Sequence, residues 1–103
     1  MNLTLDPEGF LVNLEDWSPE ALEELAQTAE IELQDQHREI LALARRFYEE
    51  FEHSPSQRPM ARYIKLHLGP EQASSIYLMQ LFGSSPAKMV SKLAGLPKPK
   101  NCL

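Results

Sequence analysis

One thiol in this sequence sits where packing cannot explain it. The run Gly95-Leu96-Pro97-Lys98-Pro99-Lys100-Asn101-Cys102-Leu103 places Cys102, the only cysteine, second from the end of the chain. A free cysteine ordinarily behaves as a small apolar core residue, and chain ends are ordinarily solvated, so a thiol there calls for a chemical role. Pro97 and Pro99 each fix φ and push the residue before them toward extended geometry. Over the seven steps from Gly95 to Cys102, at about 3.1 Å per residue, such an arm carries the thiol roughly 20 Å. That is far enough to enter the active site of another protein. The thiolate is the nucleophile, and unperturbed thiols titrate near about 8.5. Lys98 and Lys100 favour the anion, and the α-carboxylate of Leu103 opposes them. Hydrolytic cysteine catalysis needs a histidine fixed beside the sulfur, and nothing on an arm of this composition fixes one. The expected chemistry is therefore to accept, carry or exchange a group.

The other reactive side chains form no comparable constellation. His37, His53 and His67 are scattered without an i, i+4 pair or a neighbouring cysteine, whereas a zinc site clusters three or four ligands. No metal or cofactor is expected. Arg45 and Arg46 stand four residues ahead of Glu49 and Glu50, the spacing of ion pairs on a solvated helix face. Glu23, Glu24, Glu30 and Glu32 read as a second solvated face, without a partner for acid–base work.

The elements that must position the arm are helical. Leu3 and Leu5, the turn residues Asp6-Pro7-Glu8-Gly9, and Phe10-Leu11-Val12 predict a short N-terminal β-hairpin, closed by Trp17. Ser18-Pro19-Glu20 opens a helix, with a serine N-cap and proline at the first helical position, running to about Glu30. Gln34 or Asp35 opens a longer one. Its residues Ile40, Ala44, Phe47, Tyr48 and Phe51 repeat at helical spacing, which makes it the candidate central helix, with all three aromatic rings in the core. Ser54-Pro55 stops it. A third helix is expected over Ser56 to Leu68, a fourth over about Ser74 to Phe82, and a fifth from Pro86 through Leu93, with Gly95 as its stop. The result is a mainly α protein: a small helical bundle over residues 1–94, with a helix-turn-helix-like portion split at Gly69-Pro70, and a flexible arm over 95–103.

Composition bounds the partners. At 103 residues the chain is one domain. Its net charge of −5 is unevenly spread. Residues 1–71 hold all fifteen acidic residues against six basic ones, a net −9, while residues 72–103 hold four lysines and no acid, a net +4. An acidic body opposes stable nucleic-acid binding, and the expected fourth helix has neither Arg nor Lys to attract phosphates. The basic arm suits an acidic cleft. The start, Met1-Asn2-Leu3-Thr4-Leu5-Asp6, lacks the features of a signal peptide. No run approaches the roughly 20 apolar residues of a membrane span. With a single cysteine, a reducing cytoplasm is the expected compartment.

The arm motif Gly95-Leu96-Pro97-Lys98-Pro99-x-x-Cys102-Leu103 resembles that of the DsrC/TusE family of sulfur-relay proteins. Further resemblances extend over most of the chain: Asp6-x-x-Gly9-Phe10-Leu11 with Trp17, Arg46-Phe47-Tyr48-x-x-Phe51 with Ser54-Pro55 and Arg58, and Tyr77-Leu78-x-x-Leu81-Phe82 with Pro86-Ala87-Lys88. The resemblance implies a helical fold and a sulfurtransferase whose Cys102 carries sulfur as a persulfide. It implies that Gly95, Pro97, Lys98, Pro99 and Lys100 form a partner-docking arm, with Arg58 a candidate contact for it. The DsrC branch has a second cysteine eleven residues ahead of the first, and Ser91 stands there in this sequence. That departure points to the TusE-like branch, which receives sulfur from a TusBCD complex and passes it toward a tRNA 2-thiouridylase. Two alternatives remain at this level: a DsrC-like protein of dissimilatory sulfur oxidation or sulfite reduction, and a regulatory or DNA-binding helix-turn-helix module.

Overall fold

Three of the five described α-helices begin on a side-chain cap. The computed structural model describes residues 3–100. The Ser18 hydroxyl accepts the Ala21 N–H at 3.0 Å and opens α1, Pro19–Thr28. A buried histidine opens α2, Asp35–Phe51. His37 Nδ1 accepts the Gln34 N–H at 3.1 Å. Its proton therefore sits on Nε2, which donates to the Leu81 carbonyl at 2.8 Å, with the ring edge-on to Phe82 at 5.2 Å between centroids. One imidazole thus caps one helix and ties it to the end of another. Glu52, at φ 60°, closes α2 ahead of Ser54-Pro55. Next come α3, Gln57–His67, and α4, Ser75–Phe82, which is capped by the Ser74 hydroxyl on the Tyr77 N–H at 3.2 Å. Last is α5, Pro86–Leu93. These limits fall within a residue or two of those the caps and breakers predict.

The centre of the bundle is the short α5, not α2 as the apolar repeat led us to expect. α5 packs against each of α1, α2, α3 and α4, whereas the principal neighbours of α2 are α3 and α5. Small residues permit this. Ala87, Ser91 and Ala94 are buried and let surrounding helices approach, while Val90 and Leu93 are fully enclosed and fill the space between them. Each large apolar side chain so buried contributes about 1.5–3 kcal/mol. The Ser91 hydroxyl lies in this interior without a hydrogen-bond partner among the described residues.

Two further expectations are corrected. The N-terminal hairpin is one isolated antiparallel bridge, Leu5 to Leu11, and no strand forms among the described residues. Two backbone bonds flank that bridge, Asp6 N–H to the Phe10 carbonyl at 2.8 Å and Val12 N–H to the Thr4 carbonyl at 2.9 Å, and pairing ends there because the chain turns away through a 3₁₀ turn at Leu14–Asp16. The aromatic row is also split: Phe47 is buried, Tyr48 is partly buried, and Phe51, the last residue of α2, is 47% exposed.

Candidate functional site: the arm and the groove beside it

The arm leaves the body through a turn that every neighbouring element helps to hold. At the end of α5 the Gly95 N–H bonds to the Lys92 carbonyl at 3.3 Å and the Leu96 N–H to the Ser91 carbonyl at 2.9 Å. This is the paired closure in which the residue after the helix adopts left-handed geometry, and Gly95 has φ +72°. Space imposes glycine as well. A Cβ at this position would lie 2.4 Å from Trp17 Cδ1 and 2.9 Å from Trp17 Cβ.

The helix end leaves carbonyls that need donors, and two side chains supply them. Trp17 Nε1 donates to the Leu93 carbonyl at 2.9 Å, and Arg45 Nη1 donates to the Ala94 carbonyl at 2.6 Å. The Arg45 guanidinium also lies 4.1 Å from the Trp17 ring centroid, a cation–π contact that fixes both donors. Burial pulls Arg45 below its ordinary value, and Glu49 partly opposes the effect. The residue remains a cation at neutral pH. Arg45 is therefore a clamp on the base of the arm rather than half of a surface ion pair. No local pattern signals this, because its spacing to Glu49 is that of any solvated helix face.

The next residues stay on the body. Leu96 and Pro99 are buried. The Ser54 hydroxyl, itself buried, donates to the Pro97 carbonyl at 2.5 Å. Lys98 Nζ reaches both carboxylate oxygens of Glu8, at 3.0 and 3.2 Å, and Lys88 reaches the same carboxylate at 3.3 Å. These two cations hold the Glu8 carboxyl below its ordinary value of 4.5. Glu8 is in turn placed by a tight turn, where Asp6 Oδ1 accepts the N–H groups of Glu8 and Phe10, both at 2.9 Å. Of the nine residues expected to form an arm, the structure thus seats Gly95 to Pro99 against the body. The 20 Å reach counted from Gly95 shortens by that much.

A groove of about 630 Å3 runs beside the arm, with Tyr48, Glu52, His53 and Ser54 on the body side and Pro97, Lys98 and Lys100 on the other. Lys98 and Lys100 are exposed. Cys102 lies outside the described residues, two positions beyond Lys100. Arg58 is exposed in the first turn of α3, and the described side-chain contacts of the arm are made by Ser54, Glu8, Arg45 and Trp17.

The histidines are kept apart by packing. His37 is buried on Phe82, His53 sits edge-on to Phe47 at 5.4 Å, and His67 lies against Tyr63 at 4.5 Å. Among the described residues, no three His, Cys, Asp or Glu side chains group to hold an ion, and no helix is long and apolar enough to cross a membrane.

The same architecture and sequence recur in known proteins. A family model described as "DsrC like protein" matches residues 1–103. The protein named "Sulfurtransferase TusE" from Buchnera aphidicola subsp. Acyrthosiphon pisum is 40% identical over 102 residues, covering 99% of this chain and 90% of that one. The "Sulfurtransferase TusE homolog" of Haemophilus influenzae is 41% identical over 98 residues, 95% of this chain and 90% of that one. Among solved structures, the NMR structure of Allochromatium vinosum DsrC superposes with a TM-score of 0.88 at 38% identity, over 98% of this chain and 90% of that chain. The oxidized gamma-subunit of the dissimilatory sulfite reductase (DsrC) from Archaeoglobus fulgidus gives 0.84 at 33%, over 98% and 92%.

Proposed function

The chain belongs to the DsrC-like family, and on that premise we propose that it is a TusE-type sulfurtransferase, a carrier that holds a persulfide on Cys102 and relays it between partner proteins. The observation that carries this reading is the pairing of near-full-length similarity to TusE sulfurtransferases with a single thiol, Cys102.

The exchange balances without an external oxidant. The Cys102 thiolate attacks the outer, sulfane sulfur of a donor persulfide. A sulfur–sulfur bond forms at Cys102 as the donor's sulfur–sulfur bond breaks, and the donor cysteine leaves as a thiolate. The reverse attack by an acceptor thiolate then returns Cys102 to its starting state. Delivery asks the body to hold the arm's base still while its tip enters a partner. Residues 1–94 are the docking body and 95–103 the arm, with Gly95, Pro97 and Pro99 setting its path. Lys98 and Lys100 supply positive charge near the sulfur and toward acidic partner clefts, and Arg58 is a further candidate contact for the tip.

In this reading the upstream donor is a TusBCD-like complex and the downstream acceptor a tRNA 2-thiouridylase acting on the wobble uridine. The compartment is the cytoplasm, where thiols stay reduced. The DsrC reading draws on the structural neighbours, yet one cysteine allows no disulfide within this chain, and Ser91 places an inert hydroxyl in the bundle interior.

The test is intact mass after incubation with a persulfide-loaded TusBCD-like complex. The parent should gain one sulfur atom, reversible by dithiothreitol, and Cys102→Ser should gain none while unfolding at the parental temperature. A parent that stays unloaded, or a Cys102→Ser variant that loads equally, overturns the proposal.

A further inference from the structure

A second surface, distinct from the clamp at the arm's base, leaves large apolar side chains open to solvent. Between α2 and α3 lies a groove of about 380 Å3 whose walls include Phe47, Phe51, Tyr63, Pro59 and Leu66. Its rings are mutually braced: Phe47 lies 4.6 Å from Phe51 and 5.3 Å from Tyr63 between centroids. Braced aromatic rings lose little freedom when a partner arrives, which is why such residues anchor interfaces. Yet Phe51 is 47% exposed and Leu66 78% exposed, more apolar surface than folding of the bundle requires.

The charge on the α3 wall is opposite to that of the chain as a whole. Arg58, Arg62 and Lys65 recur at i, i+4 and i+7 along α3, and all three are exposed. Residues 53–70 contain no Asp or Glu although the chain carries a net −5. No ion pair among the described residues engages any of the three. On the α2 side, Glu50 accepts the Tyr63 hydroxyl at 3.0 Å, and Glu52 lines the adjoining groove beside the arm. Finally, His53 lines both this groove and the groove beside the arm, so the two surfaces are continuous.

We propose that the α2–α3 groove docks an acidic segment with apolar anchors, carried by the protein that exchanges sulfur with Cys102. Resting on the sulfur-carrier reading, the proposal assigns that reading's partner a binding face. Apolar anchors fill the ring-lined groove, carboxylates meet Arg62 and Lys65, and continuity through His53 brings the partner to the side on which the arm lies. Nucleic acid fits the surface less well. Three cations on an acidic protein supply few of the phosphate contacts on which such affinity depends, and the groove between the rings is apolar.

The experiment compares Arg62→Glu/Lys65→Glu and, separately, Leu66→Ser with the parent, each verified as folded by circular dichroism. Sulfur loading is measured with inorganic polysulfide and with the persulfide-loaded TusBCD-like complex. Direct binding of that complex is measured with all forms in a Cys102→Ser background. Charge reversal should weaken binding and raise the KM for the complex about tenfold or more, with a flatter salt dependence. Leu66→Ser should weaken binding severalfold. Polysulfide loading should stay within about twofold of the parent, since a small reagent needs no docking face. Parental affinity in both variants overturns the proposal. So does a tRNA transcript that displaces the complex from the parent but not from the charge-reversed form, which would reassign the face to RNA. Because the Cys102→Ser titration reads docking without sulfur chemistry, failure of the carrier reading and failure of the docking face are told apart.

Discussion

Gly95→Ala tests whether the base of the arm is as tightly fitted as its geometry implies. Two costs are separable. Placing an L-residue at φ +72° costs about 1–2 kcal/mol. The new methyl would also lie 2.4 Å from Trp17 Cδ1 and 2.8 Å from Cγ, so the indole must move. Its displacement forfeits the bond from Nε1 to the Leu93 carbonyl, worth about 0.5–1.5 kcal/mol, and the contact with Arg45, worth about 0.5–1 kcal/mol. The total is about 3 kcal/mol. For a chain of this size that lowers Tm by roughly 10–20 °C, and equilibrium unfolding in urea, followed by far-ultraviolet circular dichroism, measures it directly and works equally in a chain without its one tryptophan. The same substitution in a Trp17→Ala background isolates the clash. There Gly95→Ala should cost only about 1–2 kcal/mol, because the indole is gone and the backbone term remains. Equal costs in the two backgrounds, or a cost below about 1 kcal/mol in the parent, would refute the close approach of Trp17 to Gly95.

Ser91→Ala should raise stability by about 1 kcal/mol, since it removes a buried hydroxyl without a partner and leaves a void only one oxygen in size; thermal unfolding checks this, and a loss of stability would show that the hydroxyl is satisfied. Glu8 should titrate below 4.5, read from its side-chain carboxyl shift by NMR. A carboxyl depressed in the folded state stabilises above its unfolded value and loses that contribution as pH falls through its folded value. The seating of Lys98 should accordingly loosen only in acid, and Glu8→Gln should abolish that pH dependence; a midpoint at or above 4.5 would show that the two lysines do not hold the carboxylate.

Helix positions were legible in the sequence because their signals are local. Ser18-Pro19, Ser54-Pro55 and Gly95 act through neighbouring backbone, and the structure keeps all of them as starts and stops. The centre of the bundle was not legible. A long amphipathic repeat such as that of α2 reports one buried stripe, and the shorter stripe of α5, Pro86, Ala87, Val90, Ser91 and Leu93, reports the same, but neither says how many other helices share the buried face. The candidate thiol stood out through its setting, and its surroundings did not. Arg45 and Trp17 lie 49 and 76 residues from the carbonyls they cap, and Glu8 lies 90 residues from Lys98. Contacts across such separations leave no trace in spacing. Phe51 was misassigned for a related reason: it satisfies the periodicity, but it is the last residue of α2, where the stripe runs off the body into solvent.

The split between an acidic body and a basic arm acquires a structural meaning at Glu8. From sequence, the lysines read as a charge offered outward to a partner. In the folded protein Lys98 is already paired with a body carboxylate that Lys88 shares. An acidic cleft on a partner would therefore exchange one carboxylate for another at Lys98, rather than adding a first. Such an exchange is electrostatically near-neutral, and the exposed pair that it replaces is readily screened by salt. The firm part of the seat lies upstream, where Arg45, Trp17 and Ser54 engage main-chain carbonyls and burial of Leu96 excludes water. The arm is thus graded along its length. A base fixed by part-buried hydrogen bonds sets its direction, a salt-labile contact at Lys98 follows, and buried Pro99 adds one apolar contact before Lys100 and the residues that lead to Cys102. A carrier that must meet both a donor and an acceptor gains from that order: its direction is conserved in both encounters, and the contact that must yield to either partner is a weak one.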